Sequence, residues 1–339
     1  MDAKYYLIDG FDASWETTQF EQQIINQYTS DKQFDLVVNS TWGFLDFVNP
    51  ITKEMSNKFE ITKYLVEKGL VKSILFYNFV DPIYDDSTWY DVFDHCKKFI
   101  NAEDIVTLGQ LDTNKMKLNV PFQYWAVFVA DHFEHYLDVA LEPKSFDNLF
   151  LCYNRKPTWH RVELYKAFKK NNLLKKGVFT LGNEDPKQIK LINADKTNIP
   201  LNNKDNHGKL GIDNDTMSLG NINLWNSHFV TIVNETQHVP KMGYPFLSEK
   251  IWKPIRGLRP FLCLGDQGTI ELLENAGFYT FNDLFNIRKK DLEINDIVHA
   301  IKNCNLNLSA KYNEIKFKLL HNKKRFFEYA KEQKQIFNL

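Results

Sequence analysis

Short runs of apolar and β-branched residues alternate along the chain with longer stretches whose apolar positions recur at helical spacing. In the first half, the apolar runs predict four strands and the longer stretches predict the helices around them. The predicted strands are 4–9, 34–38, 73–79 and 105–108, and the predicted helices are 15–28, 56–69, 85–99 and 121–141. This alternation predicts an α/β fold with parallel sheets.

The alternation resumes in the second half of the chain. Predicted strands lie at 148–153, 178–182, 229–233 and 261–264, and helices are predicted to begin near Arg161, Ser248 and Thr269, with two more at 294–303 and 309–335. Residues 183–220 are rich in Asn, Asp and Lys and show little periodicity, so we expect an irregular insertion there. The stretch 228–281 has the strand–loop–helix–strand–loop–helix order of a Rossmann-like unit.

The pattern breaks at 142–145, where Pro143 interrupts it, and this break predicts a domain boundary. A chain of 339 residues is long enough for two domains of ordinary size. We expect an N-terminal Rossmann-like domain at 1–143 and a C-terminal Rossmann-like domain at 144–310. The remaining residues, 311–339, are expected to form a helix that packs back on the first domain.

Composition and charge narrow the classes of function. The formal net charge is −1 at pH 7, so the chain as a whole lacks the excess of basic residues that marks nucleic-acid-binding proteins. No stretch approaches the roughly 18 apolar residues of a membrane span, and the first residues lack the pattern of a signal peptide. The four cysteines lie far apart and form no zinc or redox motif. We therefore expect a cytoplasmic protein without a membrane span.

Polar and basic residues follow the predicted strand 148–153. Asn154 and Arg155 come directly after it, and Arg161 stands at the start of the next helix. A helix N-terminus offers free N–H groups and a partial positive charge, and a guanidinium adds two parallel donors. This arrangement is typical of a site for a diphosphate.

A second polar group follows the strand 229–233. The strand ends in Asn234-Glu235-Thr236, and after a loop comes Ser248-Glu249-Lys250. Here Ser248 is the expected N-cap of a helix, with a carboxylate and an ammonium in its first turn. Because ligands of open α/β sheets bind outside the carboxyl ends of the strands, we expect these residues to line a binding site.

The order of these motifs resembles the donor-binding half of GT-B glycosyltransferases, most closely the α1,3-fucosyltransferase-like group. That group has an apolar strand ending in Glu-Asn-Ser, a short gap, a Thr-Glu-Lys helix start, and then a strand, a Gly and a helix. The matching elements here are Asn234-Glu235-Thr236, Ser248-Glu249-Lys250 and 260–265, with the Glu-Asn order inverted and a longer gap. The resemblance covers roughly the second half of the chain and implies two Rossmann-like domains facing each other across a cleft.

The resemblance also implies roles for single residues. In that group the Arg at the first helix start contacts the donor pyrophosphate, which points to Arg161, with Arg155 as the alternative. The Glu-Lys pair contacts the donor sugar and phosphate, so Glu249 is expected to bind hydroxyl groups and Lys250 to stabilise the charge on the leaving group. The remaining donor-binding candidates are Asn154, Asn234, Glu235 and Lys253.

A transferase that inverts the anomeric carbon also needs a base that removes the proton from the acceptor hydroxyl. Our candidates for this base are Glu134 and Asp12. Three further residues compete with them, namely His132, Asp46 and Asp81.

Two patterns that suggest a metal site do not meet the requirements of one. His132 and His135 are three residues apart, whereas the HEXXH motif places its histidines four apart. Asp213 and Asp215 form a DxD pattern, but no apolar strand precedes them. We therefore expect no metal and no cofactor beyond the nucleotide-diphospho-sugar co-substrate.

These features predict a metal-independent glycosyltransferase that moves a sugar from a nucleotide-diphosphate donor to a hydroxyl group of a glycan, with inversion. One alternative is a viral glycosyltransferase that acts on hydroxymethylated DNA bases. The other is a non-catalytic nucleotide- or sugar-binding protein of the same fold.

Overall fold

The computed structural model divides the chain into two compact units, Met1–Tyr124 and Trp125–Leu339. The sequence analysis expected the boundary at 143, so the two divisions assign the segment 125–143 differently. The residues that the structure describes are 4–7, 33–40, 57–78, 94–108, 119–120, 123–132, 145–154, 157–181, 219–236, 238 and 245–337.

The first unit contains a sheet of five parallel strands whose spatial order follows the order of the chain. The strands are β1 (Lys4–Leu7), β2 (Phe34–Ser40), β3 (Val71–Asn78), β4 (Ile105–Leu108) and β5 (Asn119–Val120). Helix α1 (Asn57–Glu67) connects β2 to β3, and a 3-10 turn (Ala102–Asp104) precedes β4. The four predicted strands are confirmed, whereas the two-residue β5 was not predicted.

Apolar side chains from neighbouring strands form the core beneath this sheet. Leu36 of β2 lies beside Ile74 of β3, and both are almost fully buried, as is Ile105 of β4. Gly69 ends the helical segment with φ of +69°, as predicted, because this left-handed conformation is strained for residues with a Cβ.

The second unit contains a sheet of four parallel strands in the order β7-β6-β8-β9. The strands are β6 (Asn148–Cys152), β7 (Gly177–Phe179), β8 (His228–Asn234) and β9 (Phe261–Leu264). After β7 the chain returns to the other side of β6, so the direction of winding reverses between β6 and β8. Such a reversal is the topological switch point at which open α/β sheets bind ligands.

Helices precede and follow these strands along the chain. They are α2 (Tyr124–His132), α3 (Trp159–Lys170), α4 (Ile222–Ser227), α5 (Glu249–Arg256), α6 (Thr269–Asn275), α7 (Ile294–Lys302) and α8 (Leu308–Phe337), with 3-10 turns at Leu174–Lys176 and Asp283–Phe285. The predicted strands of this half are confirmed, α4 was not predicted, and the predicted insertion at 183–220 lies almost entirely outside the described residues. Among the described helices, none combines the length and apolar character needed to cross a membrane.

The long helix α8 braces the short helix α5. The ring of Trp252 in α5 packs against Phe326 and Tyr329 of α8, with centroid distances of 5.4 and 5.8 Å. The guanidinium of Arg256 lies 4.2 Å from the ring centroid of Phe327. Farther along α8, Lys334 donates from Nζ to Asp131 Oδ1 of α2 at 2.5 Å. The chain is therefore an α/β protein with parallel sheets, compatible with a Rossmann-like fold.

Candidate functional site

The second sheet splits at the switch point. Pairing between β6 and β8 ends at Leu151 and Thr231, whereas β8 stays paired with β9 as far as Asn234. On the other side, the exit of β6 follows β7, because the Thr180 N–H donates to the Cys152 carbonyl. A crevice therefore opens between the carboxyl ends of β6 and β8, and the starts of α3 and α5 border it.

Predicted and unpredicted residues meet in this crevice. We name this group the switch-point cluster, and its members are His160, Arg161, Asn234, Glu235, Ser248, Glu249 and Lys250. Of the predicted donor-binding residues, Lys253 lies one turn further along α5 and is buried, while Asn154 follows β6.

Arg161 fills the gap that the divergence of the strands leaves. Its Nη2 donates to the carbonyl oxygens of Asn234 at 3.2 Å and Glu235 at 2.9 Å. Burial lowers the pKa of the guanidinium, and the nearby carboxylates of Glu249 and Glu235 oppose this effect. The side chain thus ties the start of α3 to the end of β8. Contact with a diphosphate stays a prediction for Arg161.

His160 belongs to the same junction and was missed in the sequence analysis. Its Nε2 lies 3.0 Å from the Glu235 carbonyl oxygen. Because a carbonyl only accepts, Nε2 must carry the proton, which leaves Nδ1 to accept from the Thr158 hydroxyl at 3.5 Å. Burial lowers the pKa of His160 to about 4, so the ring is neutral near pH 7. The only signal in the sequence was its place beside Arg161.

Glu235 is the fully buried acid of the cluster. Its carboxylate accepts from the Ser248 hydroxyl, from the Thr236 N–H at 3.2 Å and from the Ser248 N–H at 3.3 Å. Burial raises its pKa to about 6, while the charge of Lys250 and the bond from Ser248 act in the opposite direction. The carboxylate is therefore largely ionised at pH 7 and gains a proton in mildly acidic solution.

Ser248 caps α5, as predicted, because its hydroxyl oxygen accepts from the Lys250 N–H at 3.3 Å. The ammonium of Lys250 donates to Glu249 Oε1 at 2.7 Å, to Thr236 Oγ1 at 3.1 Å and to Ser248 Oγ at 3.2 Å. These three oxygens hold the positive charge over the N-terminus of α5, where the helix dipole adds to its field.

Glu249 remains charged although it is buried. Burial alone would raise its pKa, but the charges of Lys250 and Lys253 outweigh that effect and hold the pKa below its usual value. Together with Lys253, which lies one turn further along α5, the cations Arg161 and Lys250 of the cluster exceed its two carboxylates by one positive charge. Since His160 is neutral, the cluster favours an anionic ligand.

Two buried amides at the strand exits retain unused hydrogen-bonding atoms. Asn154 donates from Nδ2 to the Thr180 carbonyl at 3.0 Å, but its Oδ1 has no partner among the described residues. In the same part of the chain, neither Oδ1 nor Nδ2 of the Asn234 side chain has a partner. A buried polar atom without a partner costs about 1–3 kcal/mol, so these amides destabilise the strand exits as they stand.

Several predicted residues lie outside the described ranges. They include Asp12 and Glu134, the candidate bases, together with Arg155, Asp46, Asp81, Asp213 and Asp215. The backbone of His132 ends α2. Within the described ranges, no group of three or more His, Cys, Asp or Glu side chains is arranged to hold a metal ion.

Comparison of the chain with protein-family models, with curated proteins and with solved structures returned no match. The candidate site therefore rests on its own geometry, and the resemblance to fucosyltransferase-like enzymes stays a prediction.

Proposed function

We propose that the protein is a metal-independent glycosyltransferase of GT-B type, and that its switch-point cluster binds the diphosphate and sugar of a nucleotide-sugar donor. The donor would lie in the crevice between the exits of β6 and β8. The acceptor would be a hydroxyl group of a glycan.

The observation that carries this proposal is the fixed ammonium of Lys250. It stands at the N-terminus of α5, held by three oxygens, one of which belongs to the buried carboxylate Glu249. A cation held in place and partly shielded from water stabilises a developing negative charge without reorganisation. The departure of a nucleoside diphosphate creates such a charge.

The proposed reaction is a displacement at the anomeric carbon of the donor sugar. The acceptor oxygen attacks the anomeric carbon, the bond from that carbon to the diphosphate oxygen breaks, and the electron pair leaves with the diphosphate. Lys250 offsets the new charge, and the acceptor proton passes to a base, for which Glu134 and Asp12 are the candidates. Direct displacement of this kind inverts the anomeric centre.

The other members of the cluster have groups that suit a sugar or a ribose. A carboxylate accepts from two hydroxyl groups at once, which suits Glu249. The unpartnered amide atoms of Asn234 and Asn154 offer donors and acceptors to neutral hydroxyl groups. The excess of one positive charge that the cluster has together with Lys253 supports binding of the diphosphate.

The first test is a thermal-shift screen with nucleoside diphosphates and nucleotide sugars, with and without EDTA. A ligand at a hundred times its Kd adds about 2.7 kcal/mol to the free energy of unfolding. We expect one donor to raise the unfolding temperature of the wild-type protein both with and without EDTA. Lys250→Met should lose this increase. Lys166→Met is the matched control, because Lys166 is exposed on α3 and pairs with Glu163.

The screen contradicts the proposal if no nucleotide raises the unfolding temperature of the wild-type protein. It also does so if the same nucleotide raises that of Lys250→Met equally. Release of nucleoside diphosphate in the presence of acceptors then separates the alternatives. Release with glycans supports the proposal, and release with hydroxymethylated DNA supports the viral transferase. Donor binding without release for any acceptor supports the non-catalytic protein.

A further inference from the structure

A second cavity lies apart from the switch-point cluster. Its volume is about 740 Å³, within the range of small-molecule sites. It is formed by α6, by the segment 278–290 and by Lys318 of α8. Since no member of the switch-point cluster lines it, this cavity has to be explained separately.

Basic side chains dominate the lining of this cavity. Arg288, Lys289, Lys290 and Lys318 face only two lining carboxylates, Glu274 and Asp283. This balance leaves an excess of positive charge around a concave surface. Fields in such a concave surface attract anions more strongly than the same charges do on a flat one.

The ion pairs show which of these cations are already neutralised. Lys290 lies 2.8 Å from Glu274, and Lys289 lies 2.7 Å from Asp296, so these two are paired. The nearest carboxylate contact of Lys318 is a long one of 3.9 Å to Asp283. For Arg288, which is exposed, the described part of the chain supplies no ion pair. Arg288 and Lys318 therefore remain available to an anion.

Asn282 supplies an acceptor in the same cavity. Its Nδ2 donates to the carbonyl oxygens of Lys289 at 3.0 Å and Lys290 at 3.1 Å. Because carbonyls only accept, these two bonds fix the orientation of the amide and identify the other atom as Oδ1. The residue is 7% exposed, and its Oδ1 has no partner among the described residues. The loop that carries the cations thus also presents a buried acceptor.

We propose that this cavity is a second binding site, for a small phosphorylated molecule that also carries hydroxyl or amino donors. Arg288 offers a planar fork of donors to the phosphate, and Lys318 adds a second positive charge. A hydroxyl or amino group of the same molecule donates to Asn282 Oδ1. The ring of Tyr279, 40% exposed, is also part of the lining, and the ammonium of Lys318 lies 5.6 Å from its centroid.

The test uses glucose 6-phosphate as the probe, with glucose and inorganic phosphate as partial probes. Isothermal titration is expected to show saturable binding of glucose 6-phosphate at one site, weaker binding of phosphate and no binding of glucose. Arg288→Gln and Lys318→Gln should each raise Kd about tenfold, the ratio that corresponds to 1.4 kcal/mol. Both positions tolerate Gln without loss of the fold, because neither side chain is buried.

Two further variants locate the effect. Lys324→Gln removes the same charge from an exposed position on α8 that does not line the cavity, and it should leave Kd unchanged. Lys250→Met, which removes the ammonium of the switch-point cluster, should also leave it unchanged. Failure of the glycosyltransferase proposal would therefore not affect this result.

Three outcomes overturn the proposal. The first is the absence of saturable binding of glucose 6-phosphate to the wild-type protein. The second is an equal loss of affinity in Lys324→Gln and Arg288→Gln, which would reveal a diffuse charge effect. The third is a loss of binding in Lys250→Met, which would assign the bound molecule to the switch-point cluster.

Discussion

The two sheets of this protein differ in the order of their strands, and this difference decides where each sheet can open. In the first sheet, β2 with β3 and β4 with β5 stay paired to their last residues, Ser40 with Asn78 and Leu108 with Val120. In the second sheet, pairing of β6 with β8 stops at Leu151, three residues before β8 ends. The reversal of the strand order thus opens a crevice. It also leaves main-chain carbonyls without strand partners, so other groups must donate to them.

Those carbonyls explain why charged groups are found inside the second sheet. A backbone carbonyl that loses its strand partner needs another donor. Arg161 and His160 supply donors to Asn234 and Glu235. Once a guanidinium is buried, nearby carboxylates offset its charge, as Glu235 and Glu249 do. The strand order therefore accounts for a polar cluster at this edge independently of any ligand.

The largest expected effect comes from Arg161→Met. The change removes the donors to two buried carbonyls and one of the positive charges that lie near the carboxylates of Glu235 and Glu249. Breaking a buried charge pair in this way costs about 3–5 kcal/mol. We expect that loss in the free energy of unfolding, measured by urea denaturation, together with loss of nucleotide binding in the thermal-shift screen.

The matched variant lies in the sheet without a reversal. Leu36→Ala in β2 removes a buried side chain and should cost about 2–5 kcal/mol through the cavity it leaves. Nucleotide affinity should stay as in the wild type, because β2 belongs to the first unit. If both variants lose nucleotide binding alike, the contrast between the two sheets is wrong.

A smaller effect is expected from Glu235→Gln, and it depends on pH. The folded chain keeps the Glu235 proton up to about pH 6, whereas the unfolded chain releases it near about pH 4.3. The stability that Glu235 contributes is therefore full below about pH 4.3 and is lost as the pH rises to about 6. At about 1.4 kcal/mol per pH unit this loss amounts to about 2 kcal/mol, and it should be absent from Glu235→Gln.

The measurement is the difference in the free energy of unfolding between wild type and Glu235→Gln across this pH range. The absolute stability is less informative, because His160 has the opposite effect. Its pKa is lowered to about 4, so its contribution to the stability of the folded chain falls as the pH falls. Glu163→Gln, at a partly exposed position on α3, serves as the control and should show the same pH dependence as the wild type. A constant difference between wild type and Glu235→Gln would show that the carboxyl group does not titrate as described.

The smallest effect compares two helix caps. Ser248→Ala removes the N-cap of α5, and Asn221→Ala removes the N-cap of α4, where Asn221 Oδ1 accepts from the Asn223 N–H at 3.0 Å. Each loss should cost about 1 kcal/mol of stability. Only Ser248→Ala should also weaken nucleotide binding, by several-fold, because Ser248 contacts both Glu235 and Lys250. Equal affinities in the two variants would remove Ser248 from the site.

Much of this fold could be predicted from the sequence, because its strands are apolar runs with β-branched residues. The cap at Ser248 and the polar residues at the end of β8 could also be predicted, because both depend only on residues that are adjacent in the sequence. The two-residue β5 was too short to leave a pattern. Strand order was also unpredictable, since periodicity tells which residues form strands and not which strands are neighbours.

The missed part of the site follows from that limit. Without the strand order, nothing indicated that carbonyls at the end of β8 would lack strand partners. The role of His160 as a hydrogen-bond donor to one of them could therefore not be predicted. The burial of Arg161 was equally hidden, because arginine is usually exposed. Thr180, which receives two hydrogen bonds from Asn154, lies after β7 and becomes a neighbour only through the sheet.

The bracing of α5 by α8 has a consequence for how the protein is made. With eight residues, α5 is too short to be stable on its own, and Trp252 finds Phe326 and Tyr329 only once α8 is present. A ribosome synthesises α5 before α8, so the helix that carries Lys250 lacks this support until α8 has been made. The nascent chain therefore acquires its candidate site late, after the 30 residues of α8 have emerged.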